Sequence, residues 1–234
     1  RHQWAGEPRR RCLEDASHQV RPPLATLATQ LGFVLREADP ARAREALQAM
    51  KGQLDEAIRQ TNQMLALARA DSSDVEMRPL DLGALAEELT RRWWPEARRR
   101  GLALSFDAPP QTVRVAGHEP LLSEALANLL HNALRYTPPG GHVTVAVAGD
   151  AHRARLSVAD DGPGIPEAER TRAGERFFRA SNARVPGTGL GLAIVRSIAE
   201  RHGGQLVFAG GDGGRGLVVT LALPCLGAST SGLS

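Results

Sequence analysis

Asn128-Leu129-Leu130-His131-Asn132-Ala133-Leu134-Arg135-Tyr136-Thr137-Pro138 is the stretch on which the fold of the larger part of the chain turns. Leu129, Leu130, Ala133 and Leu134 recur at helical spacing and supply a buried side, while Asn128, Asn132 and Arg135 share another face. Asn is a mediocre helix former, so two of them stacked on one face of an otherwise good helix suggest a polar task. Amide oxygens pointing one way can bind a hard cation or its waters, and an adjacent Arg can hold phosphate. An ordinary exposed polar face has the same pattern, so the surrounding sequence must decide.

Outward from this stretch, the apolar periodicity predicts a helix from about Glu119 to Tyr136 and others over Leu80 to Arg100, with Asp81 as cap, and over Gly191 to His202. Between and after them, Leu102 to Phe106, Thr112 to Val115, Val143 to Ala148, Ala154 to Ala159, Gln205 to Ala209 and Leu217 to Leu223 alternate or cluster as strands do. Helices mixed with mostly hairpin-connected strands predict an α+β layer, one sheet with helices on one face.

Two further clusters carry chemistry. Asp160-Asp161-Gly162-Pro163-Gly164-Ile165-Pro166 follows a strand; its glycines and prolines fix a tight loop, and a carboxylate at a strand end can accept from an exocyclic amine such as that of adenine. A plain turn would look the same. Gly187-Thr188-Gly189-Leu190-Gly191-Leu192 leads straight into a helix, where a glycine-rich turn exposes backbone N–H groups to anions. The turn lacks the strand, Gly-x-Gly-x-x-Gly, helix order of a dinucleotide fold, and no Gly-Lys-Ser/Thr follows for a P-loop.

The N-terminal part has a different texture. After Val20, the apolar residues Leu24, Leu27, Leu31 and Val34 are spaced 4, 3, 4, 3, as on a coiled-coil-like seam. The first helix is expected from about Glu7 to Glu37, ending at the breaker pair Asp39-Pro40, with a second from Ala41 to Ala70 carrying Leu47, Met50, Leu54, Ile58 and Leu65. One hairpin leaves a wide apolar stripe, which two copies would cover as a four-helix bundle; a hairpin packed on its own globular domain is the alternative. His18 falls just off the seam, facing outward, where a lone His is most often a solvated surface residue. Pro22 and Pro23 cannot donate to the carbonyls of His18 and Gln19, so a bend is expected there. The polar run Asp71-Ser72-Ser73-Asp74 sets the boundary: residues 1–72 helical hairpin, 73–226 α+β domain, 227–234 a flexible tail.

Composition narrows the classes. The formal charge is +3, and Lys51 is the sole lysine, so nearly all basic charge is arginine. Arg9-Arg10-Arg11 and Arg98-Arg99-Arg100 lie in helical segments as solvated faces, without the aromatic interleaving of a nucleic-acid site, so no nucleic-acid partner is expected. Cys12 and Cys225 have no metal-type spacing, which fits a reducing, cytosolic setting. No apolar run is long enough to cross a bilayer; since the chain starts at Arg1 rather than Met, it is expected to be part of a longer protein, in which any upstream membrane segment would lie outside this sequence.

In their order and spacing these blocks closely resemble the sensor histidine kinases of bacterial two-component systems. Ser17-His18 through Pro23-Leu24 looks like the phosphoacceptor box and Asn128 to Pro138 like the N box. Asp160 to Gly164 looks like the first glycine box, Glu175-Arg176-Phe177-Phe178-Arg179 like the F box, and Gly187 to Leu192 like the second glycine box. The resemblance implies an all-α helical hairpin forming a dimeric four-helix bundle, followed by an α+β Bergerat-type ATP-binding sandwich. It implies ATP and Mg²⁺ as cofactors, a homodimer, a response-regulator receiver domain as partner, and a location as the cytoplasmic portion of an inner-membrane sensor. It places catalytic roles at His18, Gln19 and Arg179. Nucleotide contacts fall at Asn128, Asn132, Arg135, Tyr136, Asp160, Gly162, Gly164, Ile165, Phe178, Gly187, Thr188, Gly189, Leu190, Gly191 and Leu192, with Asn132 also at the metal. A short lid is expected over Ala180 to Pro186, hinged at Gly187 and Gly189.

Two positions depart from the family's pattern. Gln19 stands where related boxes commonly carry Glu or Asp, and Pro22 where they usually have Thr or Asn. A dimeric ATP-binding scaffold or pseudokinase that gates a partner without phosphotransfer therefore stays open, as does a serine kinase or ATP-driven clamp of the wider superfamily.

Overall fold

The computed structural model describes residues 26, 28–70, 76–183, 185, 187–211 and 215–226. His18, Gln19, the Pro22-Pro23 bend, Cys12, the 71–74 boundary and the 227–234 tail lie outside the described residues. The chain divides into two compact units between Arg69 and Ala70.

In the first unit residues 28–34 are helical, and the helix closes with Leu35 N–H donating to Leu31 O at 3.0 Å. Asp39 then starts the next helix: its Oδ1 accepts from Ala41 N at 2.9 Å and its carbonyl from Ala43 N. The expected breaker pair thus serves both neighbours, with Pro40 as first residue of α1 (Pro40–Ala70), where its missing N–H costs nothing. Along α1, Leu47, Leu54 and Ile58 are 50%, 46% and 51% exposed, and Leu31, Phe33 and Leu35 are also exposed, whereas Ala57 is buried. Full burial of one Leu or Ile gains roughly 1.5–3 kcal/mol, so this stripe is a strong drive toward a further surface.

The second unit opens with β1 (Arg78–Asp81) and α2 (Leu82–Arg99). Asp81 is the cap expected of it: Oδ1 accepts from Gly83 N at 3.0 Å and Ala84 N at 3.1 Å. The expected start of this helix at Leu80 is corrected, because Leu80 lies in a strand paired antiparallel with β3 (Arg114–Gly117), Leu80 opposite Val115. This makes a second, two-stranded sheet where a single sheet was expected. Arg78-Pro79-Leu80-Asp81 carries a proline and no apolar alternation and leads straight into the helix, so it did not register as strand.

The main sheet has the order β2-β4-β5-β7-β6, built from β2 (Ala103–Asp107), β4 (His142–Gly149), β5 (Arg153–Asp160), β6 (Gln205–Gly210) and β7 (Leu217–Pro224). β2 joins β4 in parallel and the other pairs are antiparallel. Val143, Val145 and Val147 on β4 and Ala154, Leu156 and Val158 on β5 are buried in alternation, the pattern of a sheet covered on one face. The cover is α2 on β2 and β4, α3 (Glu119–Tyr136) on β5, and α5 (Gly191–Arg201) on β6 and β7. Between the last two, a short α4 (Glu167–Arg170) was not expected from the sequence. The core is aliphatic: Leu122, Leu126, Leu129, Leu130 and Leu134 of α3 are fully buried, as are Ile194 and Ile198 of α5.

Replacing Leu54 and Ile58 together by Asp is expected to leave the chain monomeric by light scattering, with the native chain dimeric. A native chain that is monomeric at micromolar concentration would show that the stripe is covered some other way.

Candidate functional site

The site grows from the face of α3 that looks away from the leucines. Asn128 is only 4% exposed, and its Nδ2 donates to Glu124 O at 2.9 Å and Glu124 Oε1 at 3.0 Å. Its other edge meets the start of α5: a Cβ on Gly191 would stand 3.5 Å from Asn128 Oδ1, 3.2 Å from Asn132 Nδ2 and 3.6 Å from Asn132 Oδ1. The two amides and the glycine-rich turn, 59 residues apart in sequence from Asn132 (132) to Gly191 (191), form one cradle. Among the described residues no side chain caps the N-terminus of α5, which leaves its first N–H groups without an intrahelical partner.

The turn leading into α5 is shaped by close backbone contact. A Cβ on Gly189, at φ 69°, would lie 2.6 Å from Phe177 C and from Phe178 O, and Phe177 N–H donates to Gly189 O at 3.1 Å. Phe177 itself has φ 64°, rare for a bulky residue. Thr188 Oγ1 accepts from Leu190 N at 3.3 Å, Leu190 is buried, and Leu192 is half-buried in the first turn of α5. A Cβ on Gly187 would be 3.6 Å from the Tyr136 hydroxyl.

The loop after β5 closes the opposite side. Asp160 Oδ1 accepts from Gly162 N at 3.0 Å, and a Cβ on Gly162 would lie 2.9 Å from Tyr136 O. Gly164, at φ 65°, sits so near Gly216 that a Cβ would be 2.4 Å from its carbonyl oxygen, and Gly216 N–H donates to Gly162 O at 2.9 Å. Burial pushes the Asp160 carboxyl up to about 6, with Asp161 adding to the rise and the Gly162 and Leu217 N–H groups opposing it. The carboxyl is therefore poorly hydrated and suited to accept a ligand's N–H.

Arginines gather at the C-terminal end of α3. Burial lowers the Arg135 pKa, and the charges of Arg100 and Arg179 lower it further against the opposing influence of Tyr136. Arg100, in the run Arg98-Arg99-Arg100 that is exposed as expected, also makes two bonds: its Nη1 donates to Leu134 O at 3.2 Å and its Nε to Glu96 Oε1 at 2.6 Å. Arg179 donates from Nη2 to Val185 O at 2.8 Å, bridging the expected lid. The start of that segment is fastened by Ser181, whose N and Oγ donate to Glu169, and by Asn182, whose Nδ2 donates to Gly164 O at 3.1 Å.

Not every expected contact converges. The Phe178 ring stacks under Arg172, 4.9 Å from its guanidinium, and Ile165 accepts from Arg170 Nε through its carbonyl at 3.0 Å. Glu124 and Glu169 were not singled out in the sequence, and Arg100, Ser181 and Asn182 were placed only within a charge run or the expected lid. Of these, Glu124 could have been found, since it precedes Asn128 by four and shares its face.

The site is that of a nucleotide-binding module: a partly buried carboxylate, paired amides, clustered arginines and a glycine-hinged segment around one helix. A family described as "Histidine kinase-, DNA gyrase B-, and HSP90-like ATPase" matches residues 117–226, and one described as "His Kinase A (phospho-acceptor) domain" matches residues 8–73. "Sensor protein kinase PmrB" of Pseudomonas aeruginosa is 37% identical over 222 residues, 93% of this chain and 46% of that protein. "Signal transduction histidine-protein kinase/phosphatase MprB" of Mycobacterium avium is 36% identical over 209 residues, 86% of this chain and 39% of that protein. The solved "Mycobacterial sensor histidine kinase MprB" superposes with a TM-score of 0.56 at 34% identity, covering 64% of this chain and all (100%) of that one. The chain belongs to the sensor histidine kinases, a family of ATP-using enzymes. It spans less than half the length of these two curated relatives, 46% and 39%.

A ligand amine needs Asp160 ionised. Affinity for a non-hydrolysable ATP analogue, measured by calorimetry, is expected to fall as pH drops through about 6, with a limiting slope of about tenfold per pH unit below it. Asp160→Asn should bind weakly at every pH and lose this dependence; a native chain with flat affinity from about pH 7.5 to 5 would contradict the assignment.

Proposed function

We propose that this chain is the dimerisation, phosphoacceptor and catalytic region of a sensor kinase that phosphorylates its own His18 from ATP and passes the phosphoryl group to an aspartate of a response regulator. The observation that carries the reading is the cradle in which Asn128, Asn132 and Gly191 meet, on a chain whose two family matches fall in the order phosphoacceptor then ATPase. Residues 1–72 would serve as the helical hairpin, pairing with a second copy through the stripe of Leu47, Leu54 and Ile58. Residues 73–226 would serve as the catalytic domain and 227–234 as a tail.

The roles follow from charge. ATP would supply the phosphoryl group, and Mg²⁺ would neutralise its charge. The amide oxygens of Asn132 and Asn128 suit a hard cation, and the space left by the missing Cβ of Gly191 gives it room. Asp160 would read the adenine amine, Arg135 and Tyr136 would orient the phosphates, and the segment hinged at Gly189 would exclude water. Arg179 would exchange the Val185 carbonyl for a phosphate oxygen. One ring nitrogen of neutral His18 would then form the N–P bond as the bond between the γ-phosphorus and its bridging oxygen breaks, releasing ADP. The proton on the other ring nitrogen would be held by Gln19.

Among the described residues no helix is long and apolar enough to cross a membrane. Placement as the cytoplasmic part of a membrane sensor rests on the chain's relatives, which are named as sensor and signal-transduction kinases.

Labelled ATP with Mg²⁺ should give an acid-labile, base-stable phosphoprotein, and His18→Gln should abolish it. Label retained by that variant would defeat the assignment of His18; tight ATP binding without any phosphohistidine would favour the scaffold reading that Gln19 and Pro22 keep open. An amide at Gln19 accepts a hydrogen bond but not a proton, so Gln19→Glu should raise the autophosphorylation rate. Proline at 22 has no group to place a water, so dephosphorylation of a phosphorylated regulator should be weak, in contrast to the kinase/phosphatase named among its relatives. Robust phosphatase activity of the native chain would overturn that expectation.

A further inference from the structure

Glu124 lies one turn before Asn128 on α3 and has no part in the reaction as derived above. It is half-buried, and it touches the most buried polar group of the site. Asn128 Nδ2 carries two hydrogens, and Glu124 supplies an acceptor for each: its carbonyl at 2.9 Å and its carboxylate Oε1 at 3.0 Å.

The chemistry of the two partners makes this contact directional. An Asn amide has two nearly isosteric orientations, one presenting oxygen and the other presenting NH₂. An ionised carboxylate only accepts, so Glu124 Oε1 bonds with Nδ2 and repels Oδ1. The orientation with nitrogen toward Glu124 turns Oδ1 toward Gly191, 3.5 Å from where a Cβ would stand, beside the Asn132 amide at 3.2 and 3.6 Å. A hard cation takes oxygen ligands, and the flipped amide would aim two N–H groups at it.

We infer that Glu124 is a positioning residue for the metal and phosphate end of the nucleotide site: it locks the Asn128 amide with oxygen facing the cradle. This rests on the proposed function, in which that cradle holds Mg²⁺ with ATP. The proton of the phosphoacceptor is not its concern; a carboxylate that accepts from an amide one turn along its own helix serves orientation.

The test is binding of a non-hydrolysable ATP analogue to the full chain by calorimetry, with Mg²⁺ and with EDTA. In Glu124→Ala the Mg²⁺-dependent gain in affinity is expected to shrink by about tenfold or more, the range for lost partners of metal ligands, while affinity in EDTA stays at the native value. In Glu124→Gln the side chain keeps its volume and can still accept through Oε1, while the main-chain carbonyl of residue 124 goes on accepting from Nδ2, so the loss should be smaller.

Three results would overturn the inference. Loss of affinity in EDTA as well as in Mg²⁺ for the Glu124→Gln variant would mean that Glu124 merely holds the fold. An unchanged Mg²⁺ gain in both single Glu124 variants, with autophosphorylation abolished in each, would make it a proton acceptor instead. A native chain that binds the analogue equally with and without Mg²⁺ would remove the cradle's metal role and this inference with it, and nucleotide binding itself would still stand.

Discussion

The site depends on how closely backbone can approach α3. Asn128, Asn132 and Tyr136 occupy successive turns of that helix, and a glycine from another segment faces each of them: Gly191 at the two amides, Gly187 at the Tyr136 hydroxyl and Gly162 at its carbonyl. At Gly162 and Gly189 the space for a Cβ is already taken by backbone, at 2.9 and 2.6 Å, so a side chain could enter only by displacing main chain. Overpacking of that kind costs typically 1–3 kcal/mol, and at Gly189 the positive φ adds roughly another 1–2. At Gly191 the contact is looser, and there the missing Cβ leaves room for a ligand.

Such proximity needs α3 and α5 fixed relative to each other, and the fixing occurs at the ends away from the polar face. His202, buried just past the C-terminus of α5, donates from Nδ1 to Ile198 O at 2.7 Å and accepts on Nε2 from His118 N at 3.0 Å. Acceptance on Nε2 requires the neutral ring protonated on Nδ1, and burial lowers the pKa in the same sense, helped by neighbouring His118 and Arg201. His118 caps α3 in turn, its Nδ1 accepting from Leu121 N at 3.4 Å. One imidazole thus joins the start of α3 to the end of α5, and buried Leu126, Leu130, Ile194 and Ile198 fill the helices between that staple and the cradle.

What the sequence made legible follows from the range of the forces involved. The bounds of α3, Glu119 to Tyr136, could be read directly because a long aliphatic period, a first-turn proline and a following Thr-Pro all agree. Strands β4, β5, β6 and β7 were read to within a residue or so at either end because each is six or eight residues long and rich in Val, Leu, Phe and Ala. β1 was not legible, since Pro79 and four residues carry no period and the strand exists only by pairing with β3. The glycine turns could be located but not their partners: no local pattern says that Gly191 faces Asn132 or that Gly189 meets Phe177. Arg100 shows the same limit in a charge run: all three arginines are exposed, yet one of them also reaches the C-terminal carbonyl of a neighbouring helix.

The segment between Phe177 and Leu190 combines tight ends with a weakly held middle. At its ends the backbone is committed, through Phe177 to Gly189 on one side and Leu190 in the core on the other. In between, the described residues are held by side-chain hydrogen bonds, those of Ser181 to Glu169 and Arg179 to Val185 exposed and that of Asn182 to Gly164 part-buried. Each is worth only about 0.5–1.5 kcal/mol net, so the middle can leave its resting place at small cost while its ends stay fixed. The Asn182 bond also reaches the loop that follows Asp160, which ties the segment to that partly buried carboxyl. An anion brought beside Arg135 would offer Arg179 a charge-assisted bond about twice as strong as the one it makes to a neutral carbonyl. The same anion would relieve the repulsion among Arg100, Arg135 and Arg179, so both terms favour rearrangement of the segment around a phosphate.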